Sequence, residues 1–418
     1  MTTIARLILA VAIIVVITSA DNGIANVLKI GSSAFFLALL PASLAIAQVT
    51  LVSRIRDPKE TARIVSEFLG SLTILYFPVI LSVLWMQALP LSFDNFGTLP
   101  LVNTVAAILT FAAASYFTAT ELVWIARYAL IVYGASVAAD FFSQGLLFSA
   151  LVARPAGFLL NPNDGGAQLV VLLIPCLHWR RVRSWDWIWC LVAAVPIALT
   201  LSRTAVLGWL AVSVSYMAVS IYQARFAARV AIVSAFVIVL TLIGATAIAP
   251  DAELSGIFTN RVGVERIEDF ASLLRGDASS FSRDPRYAVY RYWSTVAAEA
   301  PLIGFGHGYS VSGHGTVFME QYDQGPHNMY LARYVDQGVL GIVSLLAFLL
   351  FWLIFFSARR DASGIVFVGA FSLVSLFSHG TVGFRSLITM FAFMAAAAVQ
   401  RQNENGLRPL RSSILFDY

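Results

Sequence analysis

The stretch that decides the fold is VLGIVSLLAFLLFWLIFF, residues 339–356, in which no side chain is charged. A helix of this length, at 1.5 Å per residue, would extend about 27 Å, close to the ~30 Å hydrocarbon core of a bilayer. Arg359 and Arg360 follow at the point where such a helix would leave the membrane. The pattern predicts a membrane-spanning helix.

Similar apolar windows recur along all 418 residues, of which 59% are hydrophobic and 12% are charged. The mean hydropathy of +0.80 excludes an ordinary soluble domain, in which about a quarter of the residues are charged. Windows of about 17–25 residues predict twelve membrane-crossing helices, at 4–20, 30–52, 66–89, 100–119, 122–142, 165–179, 185–201, 204–222, 230–249, 337–358, 363–378 and 384–400. The first window could instead be a cleaved signal peptide, but Arg6 alone would supply its basic n-region, which favours an uncleaved helix.

We therefore expect an all-α fold in which residues 1–418 form a single membrane domain. The segment 250–336 is the one extended polar region, and it would form a large, partly helical loop between the ninth and tenth spans. Cys176 and Cys190 fall within or beside predicted spans, so we expect them to be packing residues rather than a disulfide or metal site.

Basic residues accumulate beside alternate ends of the predicted spans, and by the positive-inside rule those ends are cytoplasmic. They are Arg6, Arg54, Arg56, Lys59, Arg63, Arg180, Arg181, Arg183, Arg225, Arg229, Arg359, Arg360, Arg401, Arg408 and Arg411. Both termini would then be cytoplasmic. In a bacterial inner membrane the opposite face, which carries 250–336, would be periplasmic. Nucleotide sugars and ATP are absent from that compartment, so a substrate there must be activated already and carried on lipid.

Three arginines on the predicted outer face are candidates for binding an anion. Arg203 interrupts the apolar sequence ALTLSRTAVLGWLAV, residues 198–212, where an unpaired guanidinium is costly and is a functional candidate by default. The simpler interpretation is an interfacial anchor. Arg286 and Arg291 lie among aromatic residues in SRDPRYAVYRYW, residues 282–293, where Pro285 is suited to the first turn of a helix. Arginine matches phosphate oxygens with two parallel hydrogen bonds.

Asparagine and histidine supply the other candidates. Asn161 and Asn163, in GFLLNPNDGGAQ (157–168), favour a helix-initiating turn and could also hydrogen-bond a sugar or phosphate. His307 lies in the glycine-rich sequence GFGHGYSVSGHG (304–315), which lacks the spacing of a nucleotide-binding loop and indicates a flexible loop instead.

His327 is the sharpest candidate for catalysis, because a neutral imidazole can remove a proton from a hydroxyl near pH 7. Asn328, Asp323 or Asp336 could orient the ring, although a lone histidine is more often structural. The spacing of His307, His314 and His327 does not indicate a metal site.

Four stretches, taken in order, resemble the O-antigen ligase and polymerase family of membrane glycosyltransferases. They are GFLLNPNDGGAQ, TLSRTAVLGWL (200–210), DPRYAVYRYW with PLIGFGHGY (284–309), and PHNMYLARYVDQGVLG (326–341). The resemblance covers about 155–345. It implies a helical membrane fold of the GT-C type with an undecaprenyl-diphosphate-linked glycan as donor.

Carried over by position, the resemblance assigns the donor diphosphate to Arg203 and Arg286, and the acceptor hydroxyl to His327. Arg291 competes with Arg286, because Tyr290 stands where the family has Trp. Asn161, Asn163, Asn328, His307 and Arg385 are supporting candidates. The sequence has no DxD-type metal site, so we expect transfer without metal or cofactor, and inversion is taken from the family.

Two activities within the family remain open. A polymerase would extend a polysaccharide on a glycan acceptor and could work with a chain-length regulator, whereas a ligase would attach finished glycan to lipid A-core. We favour the polymerase, because the outer segment has no conspicuous cationic cluster for a phosphorylated core.

Outside the family, the alternatives are a flippase or other transporter of lipid-linked oligosaccharide and a scaffold. A transporter would favour internal repeats and mid-membrane charges, and neither is evident. A scaffold would give Arg203 and His327 no role. Membrane lipid is an expected partner, and nucleic acid is not.

Overall fold

A computed structural model describes residues 3–28, 58–82, 84, 98–149, 154–159, 161–183, 185–223, 285–310, 325–378 and 385–404. Every regular element in these ranges is helical, which confirms the all-α prediction for them. The helices are α1 (Thr3–Thr18), α2 (Ala20–Val27), α3 (Pro58–Ser82), α4 (Thr98–Ala114), α5 (Ala119–Phe142), α6 (Pro162–Cys176), α7 (Asp186–Leu199), α8 (Arg203–Gln223), α9 (Pro285–Glu299), α10 (Met329–Ala358), α11 (Ala362–Ser375) and α12 (Arg385–Glu404), with a 3-10 turn at Gly157–Leu159.

Ten of the twelve predicted spans coincide with these helices, and the predicted spans 30–52 and 230–249 lie outside the described residues. Within the described ranges, three helices are long and apolar enough to cross a membrane: α5, α8 and α10. Shorter apolar helices occur at Thr3–Thr18, Ser66–Ser82, Val102–Ala114, Asp186–Leu199 and Ala362–Ser375. Hydropathy therefore located the helices, and a side-chain cap marks the start of α5, α6 and α10.

Helix α6 lies at the centre of the bundle and packs against α5, α7, α8, α11 and α12. Leu169 to Ile174 have no exposed surface, as expected for a helix that is apolar on every side. Gly166 allows the close approach of α8: a Cβ there would lie 2.5 Å from the Cβ of Ala205. Small residues permit such contacts between helices in a membrane, where packing rather than water drives association.

The aromatic ring of Phe391 in α12 joins three helices. It contacts Phe348 and Trp352 of α10, with ring centroids 4.9 and 5.3 Å away, and Phe367 and Phe371 of α11, at 4.7 and 4.9 Å. The contacts with Phe348, Phe367 and Phe371 are edge-to-face, an arrangement that adds to the packing energy of large apolar side chains.

Polar contacts bring one set of helix ends together, and we call this the basic end. Arg6 near the start of α1 pairs with Glu121 of α5 at 2.6 Å. Glu404 of α12 accepts from the backbone N–H of Ala119 at 2.8 Å. Arg401 pairs with Asp361, in the turn between α10 and α11, at 2.8 Å. These are ends that the charge pattern assigned to one side of the membrane.

A buried ion pair fixes α5 to α7 near the same end. Arg127 Nη2 lies 2.8 Å from Asp186 Oδ1, and its guanidinium lies over the rings of Trp124 and Trp189. Asp186 also binds the His178 ring at 3.0 Å and accepts from the Tyr216 hydroxyl at 2.7 Å. The cluster joins four segments of the chain, a structural role that the sequence did not indicate.

Candidate active site

The opposite ends of the helices also meet, and we call this the site end. Asp164 in the first turn of α6 accepts from Ser378, just after α11, at 2.7 Å. The hydroxyl of Ser386 in α12 donates to Gln168 of α6 at 2.9 Å. Tyr330, near the start of α10, hydrogen-bonds Ser372 of α11. Helices α6, α10 and α12 therefore begin together.

Helix α8 begins at the site end as well, because Gly166 of α6 approaches Thr200, Ser202 and Ala205. Arg203 is the first residue of α8 and is half-buried. Leu201, two positions earlier, has a left-handed backbone with φ 51°. This tight turn places Arg203 at the N-terminus of α8.

Asn161 and Asn163 form the start of α6, as the helix-initiating interpretation predicts. Asn161 is the N-cap, and its side chain accepts from the N–H of Asn163 at 2.9 Å. Pro162 occupies the first turn. Asn163 Oδ1 accepts from Arg154 Nη2 at 3.4 Å. Arg154 is only 7% exposed, and it was missed because it stands alone in a loop without a surrounding motif.

Helix α9 begins at Pro285, which confirms the predicted start. Arg286 is its second residue, and the described part of the chain does not include the placement of that side chain. Arg291 is exposed, whereas Val289 and Trp293 of the same helix pack against Val335 of α10. The apolar face of α9 therefore joins it to α10 while Arg291 lies on another face.

His327 lies just before α10, with a half-buried ring. Its φ of 46° is in the left-handed region, which costs a non-glycine residue of order 1–3 kcal/mol and is concentrated at functional sites. Asn328 is the N-cap of α10, and its Oδ1 accepts from the N–H of Leu331 at 3.0 Å. Asn328 thus supports the helix start that carries His327.

Residues 301–310, which include the first part of the glycine-rich sequence, pack against α10 and do not form an open loop. Asp336, considered above as an orienting group for His327, instead accepts from the N–H groups of Gly308 and Ser310, at 3.2 and 2.8 Å. Asp323 and His314 lie outside the described residues.

His307 belongs to this docked loop. Its Nδ1 lies 3.2 Å from Gln337 Nε2, and Gln337 Oε1 accepts from Arg333 at 3.4 Å. The amide oxygen of Gln337 faces Arg333, so its amide nitrogen is the group that faces Nδ1 of the ring. Burial, aided by the charge of Arg333, lowers the pKa of His307 to about 4. The ring is therefore neutral at pH 7.

Arg385, the first residue of α12, forms an ion pair with the buried Asp21. The pair ties α12 to α2 at the site end. The Arg385 side chain is 12% exposed.

In a comparison with protein families, residues 188–346 match the family described as O-Antigen ligase. The matched segment runs from α7 into α10 and contains Arg203, Arg286, Arg291 and His327, whereas Asn161 and Asn163 precede it. Comparison with curated proteins finds no similar sequence. The family implies glycosyl transfer of the O-antigen ligase or polymerase type at a bacterial membrane, with lipid-linked glycan as substrate. Over residues 188–346, the match confirms the resemblance of the chain to the O-antigen ligase/polymerase family.

Proposed function

We propose that this protein transfers glycan from an undecaprenyl-diphosphate-linked donor to an acceptor sugar hydroxyl at the site end, which faces the periplasm. One observation carries the proposal: within the family match, Arg203 and His327 both lie at helix N-termini at the same end of the bundle. The N-termini of helices carry partial positive charge, which favours an anionic diphosphate nearby.

His327 takes the proton of the acceptor hydroxyl in this mechanism. The oxygen attacks the anomeric carbon of the donor, the bond from that carbon to the diphosphate oxygen breaks, and the electron pair leaves with undecaprenyl diphosphate. Attack from the face opposite the diphosphate inverts the anomeric centre. The strained backbone of His327 supports a catalytic role, because such strain persists only where the surroundings maintain it.

Arg203 and an arginine of α9 stabilise the charge that develops on the departing diphosphate. Arg286 holds this position by the family pattern, and Arg291 is the competitor. Two guanidinium groups supply the charge that a divalent metal supplies elsewhere, so we propose metal-independent transfer.

We favour a polymerase, with another glycan as acceptor and a chain-length regulator as partner. The ligase is the second candidate, because the matching family is described as O-Antigen ligase. The two activities share donor and catalytic residues and differ in acceptor.

The test is glycan transfer by purified protein in liposomes, with a synthetic undecaprenyl-diphosphate oligosaccharide and EDTA. We expect elongation by the unmodified protein and none by His327→Ala. Arg203→Ala should lower kcat by about 10²–10³-fold, equivalent to about 3–4 kcal/mol. Arg183→Ala, which removes an exposed arginine near the basic end, is the control and should retain full activity.

Transfer that appears only after lipid A-core is added would identify a ligase. Full activity of a folded His327→Ala variant would remove the histidine from the mechanism, and full activity of Arg203→Ala would remove that arginine. Loss of all activity in EDTA, restored by a divalent cation, would contradict metal independence.

A further inference from the structure

A kink in α10 leaves backbone N–H and C=O groups without their partners inside the helix, and the loop at 301–310 forms hydrogen bonds with these groups. Gly338 has φ 63° and ψ −149°, which interrupts the helix. In a regular helix the carbonyl of Val335 would accept from the N–H of Val339. Here the Val335 carbonyl accepts from Phe305 at 2.8 Å, and the Val339 N–H donates to Leu302 at 2.9 Å. The loop therefore replaces a hydrogen bond that the kink breaks.

Two glycines make this contact possible. A Cβ on Gly338 would lie 1.9 Å from the carbonyl oxygen of Leu302, and a Cβ on Gly304 would lie 2.5 Å from the carbonyl carbon of Asp336. Both glycines have positive φ. Loop and helix backbones are thus in direct contact, with no side chain between them.

Asp336 forms hydrogen bonds with the next part of the loop. Its own carbonyl accepts from Gly306 at 2.9 Å, while its two carboxylate oxygens accept from Gly308 and Ser310. The side chain is 9% exposed. Hydrogen bonds to an ionised acceptor are roughly twice as strong as neutral ones. One residue therefore supplies three of the loop's attachments to α10.

The same loop connects the two helices that carry the proposed reactive groups. Phe305 and Tyr309 of the loop stack with ring centroids 4.5 Å apart. Both pack against the small core that Val289 and Trp293 of α9 form with Val335 of α10. Any shift of the loop would therefore move α9, with Arg286 and Arg291, relative to α10.

We infer that Asp336 is a positioning residue: by fixing the glycine loop to the kink of α10, it sets the placement of the α9 arginines relative to His327. This inference rests on the proposed function. Asp336 lies nine residues beyond His327, about 13 Å along a helix, so it acts on the reaction through the loop.

Substitution at Asp336 should lower kcat without a comparable change in the KM for donor, because the arginines still bind diphosphate but hold it out of line. A misplacement of about 1 Å can cost 10²-fold in rate, so we expect about a 100-fold loss for Asp336→Ala. Asp336→Asn keeps the volume of the side chain but leaves only one acceptor oxygen, so its kcat should fall about tenfold. Ser344→Ala removes a hydroxyl that bonds only within α10 and is the control.

A spectroscopic measurement separates positioning from general destabilisation. Spin labels at Ala298→Cys in α9 and Val343→Cys in α10, both exposed positions, report the separation of the helices once the two buried native cysteines are replaced by alanine. We expect one narrow distance distribution in the otherwise unmodified protein and in Ser344→Ala. The distribution should broaden in Asp336→Asn and more so in Asp336→Ala, in the order of the kcat loss.

A narrow distribution with full activity in the Asp336 variants would overturn the inference, and so would a narrow distribution with lost activity, which would indicate a direct chemical role. If Asp336→Ala does not fold, the activity and the distance distribution of Asp336→Asn test the inference instead. Absence of transfer by the unmodified protein would contradict the proposed function instead, and the distance distributions would still decide whether Asp336 holds α9 to α10.

Discussion

At the scale of single residues, the two histidines of the site end are held differently. His327 lies in a strained backbone at a helix start, whereas His307 lies in a docked loop with Nδ1 facing Gln337. The charged groups facing His307 are Arg333 and Asp336, the latter with Oδ2 3.9 Å from Nδ1. Burial and Arg333 keep the ring neutral, which suits hydrogen bonding rather than charge.

The depressed pKa of His307 predicts a loss of stability in acid. The unfolded histidine takes up a proton near pH 6.5, and the folded one only near pH 4. Its contribution is therefore complete above about pH 6.5 and is lost as pH falls to about 4, by at most about 3 kcal/mol. The thermal midpoint of the unmodified protein should fall more steeply over this range than that of His307→Gln. Parallel curves would contradict the prediction.

Residue-level prediction from the sequence succeeded where the signal was local. Asn161 caps α6 and Pro285 begins α9, because capping and a fixed proline φ depend on adjacent residues. The contacts of Asp336 with the loop were not predicted, since its partners Gly308 and Ser310 are more than 25 residues away in the chain and nothing in their spacing marks the contact.

At the scale of helices, the position of Arg203 depends on how closely α8 packs against α6. Gly166 lies at this contact, where an added Cβ would meet Ala205 at 2.5 Å and Thr200 Oγ1 at 3.1 Å. Hydropathy predicted both helices, but a glycine in an apolar window does not reveal which helix it faces. The contact itself is a tertiary feature.

Gly166→Ala should therefore destabilise the protein by about 1–3 kcal/mol, the usual cost of overpacking, and should lower transfer activity by moving the start of α8. Gly369→Ala is the matched control: it is also a helical glycine, with nothing within 4 Å of its added Cβ. Alanine is the better helix former, so this variant should be neutral or gain up to about 1 kcal/mol. Thermal unfolding in detergent compares the two, and equal midpoints would contradict the close contact.

At the scale of the whole molecule, the charge pattern and the contacts group the same helix ends. Arg6, Arg401 and the turn before α11 meet at the basic end, whereas Arg203 and His327 lie at the starts of helices at the other. The alternation of basic loops predicted this grouping from sequence, because each crossing reverses the direction of the chain. The buried Arg127–Asp186 pair was not predicted, since its partners lie in different helices.

If the basic end is cytoplasmic, the two ends should differ in access to a membrane-impermeant maleimide. Leu146→Cys, between α5 and the 3-10 turn, should be labelled in intact spheroplasts. Trp185→Cys, just before α7, should be labelled only after the membrane is opened. Both positions are strongly exposed, at 76% and 74%. The unmodified protein is the control and should stay unlabelled, because Cys176 and Cys190 are buried. Labelling of Trp185→Cys alone in intact spheroplasts would reverse the orientation and place His327 on the cytoplasmic side, where a periplasmic glycan donor could not reach it.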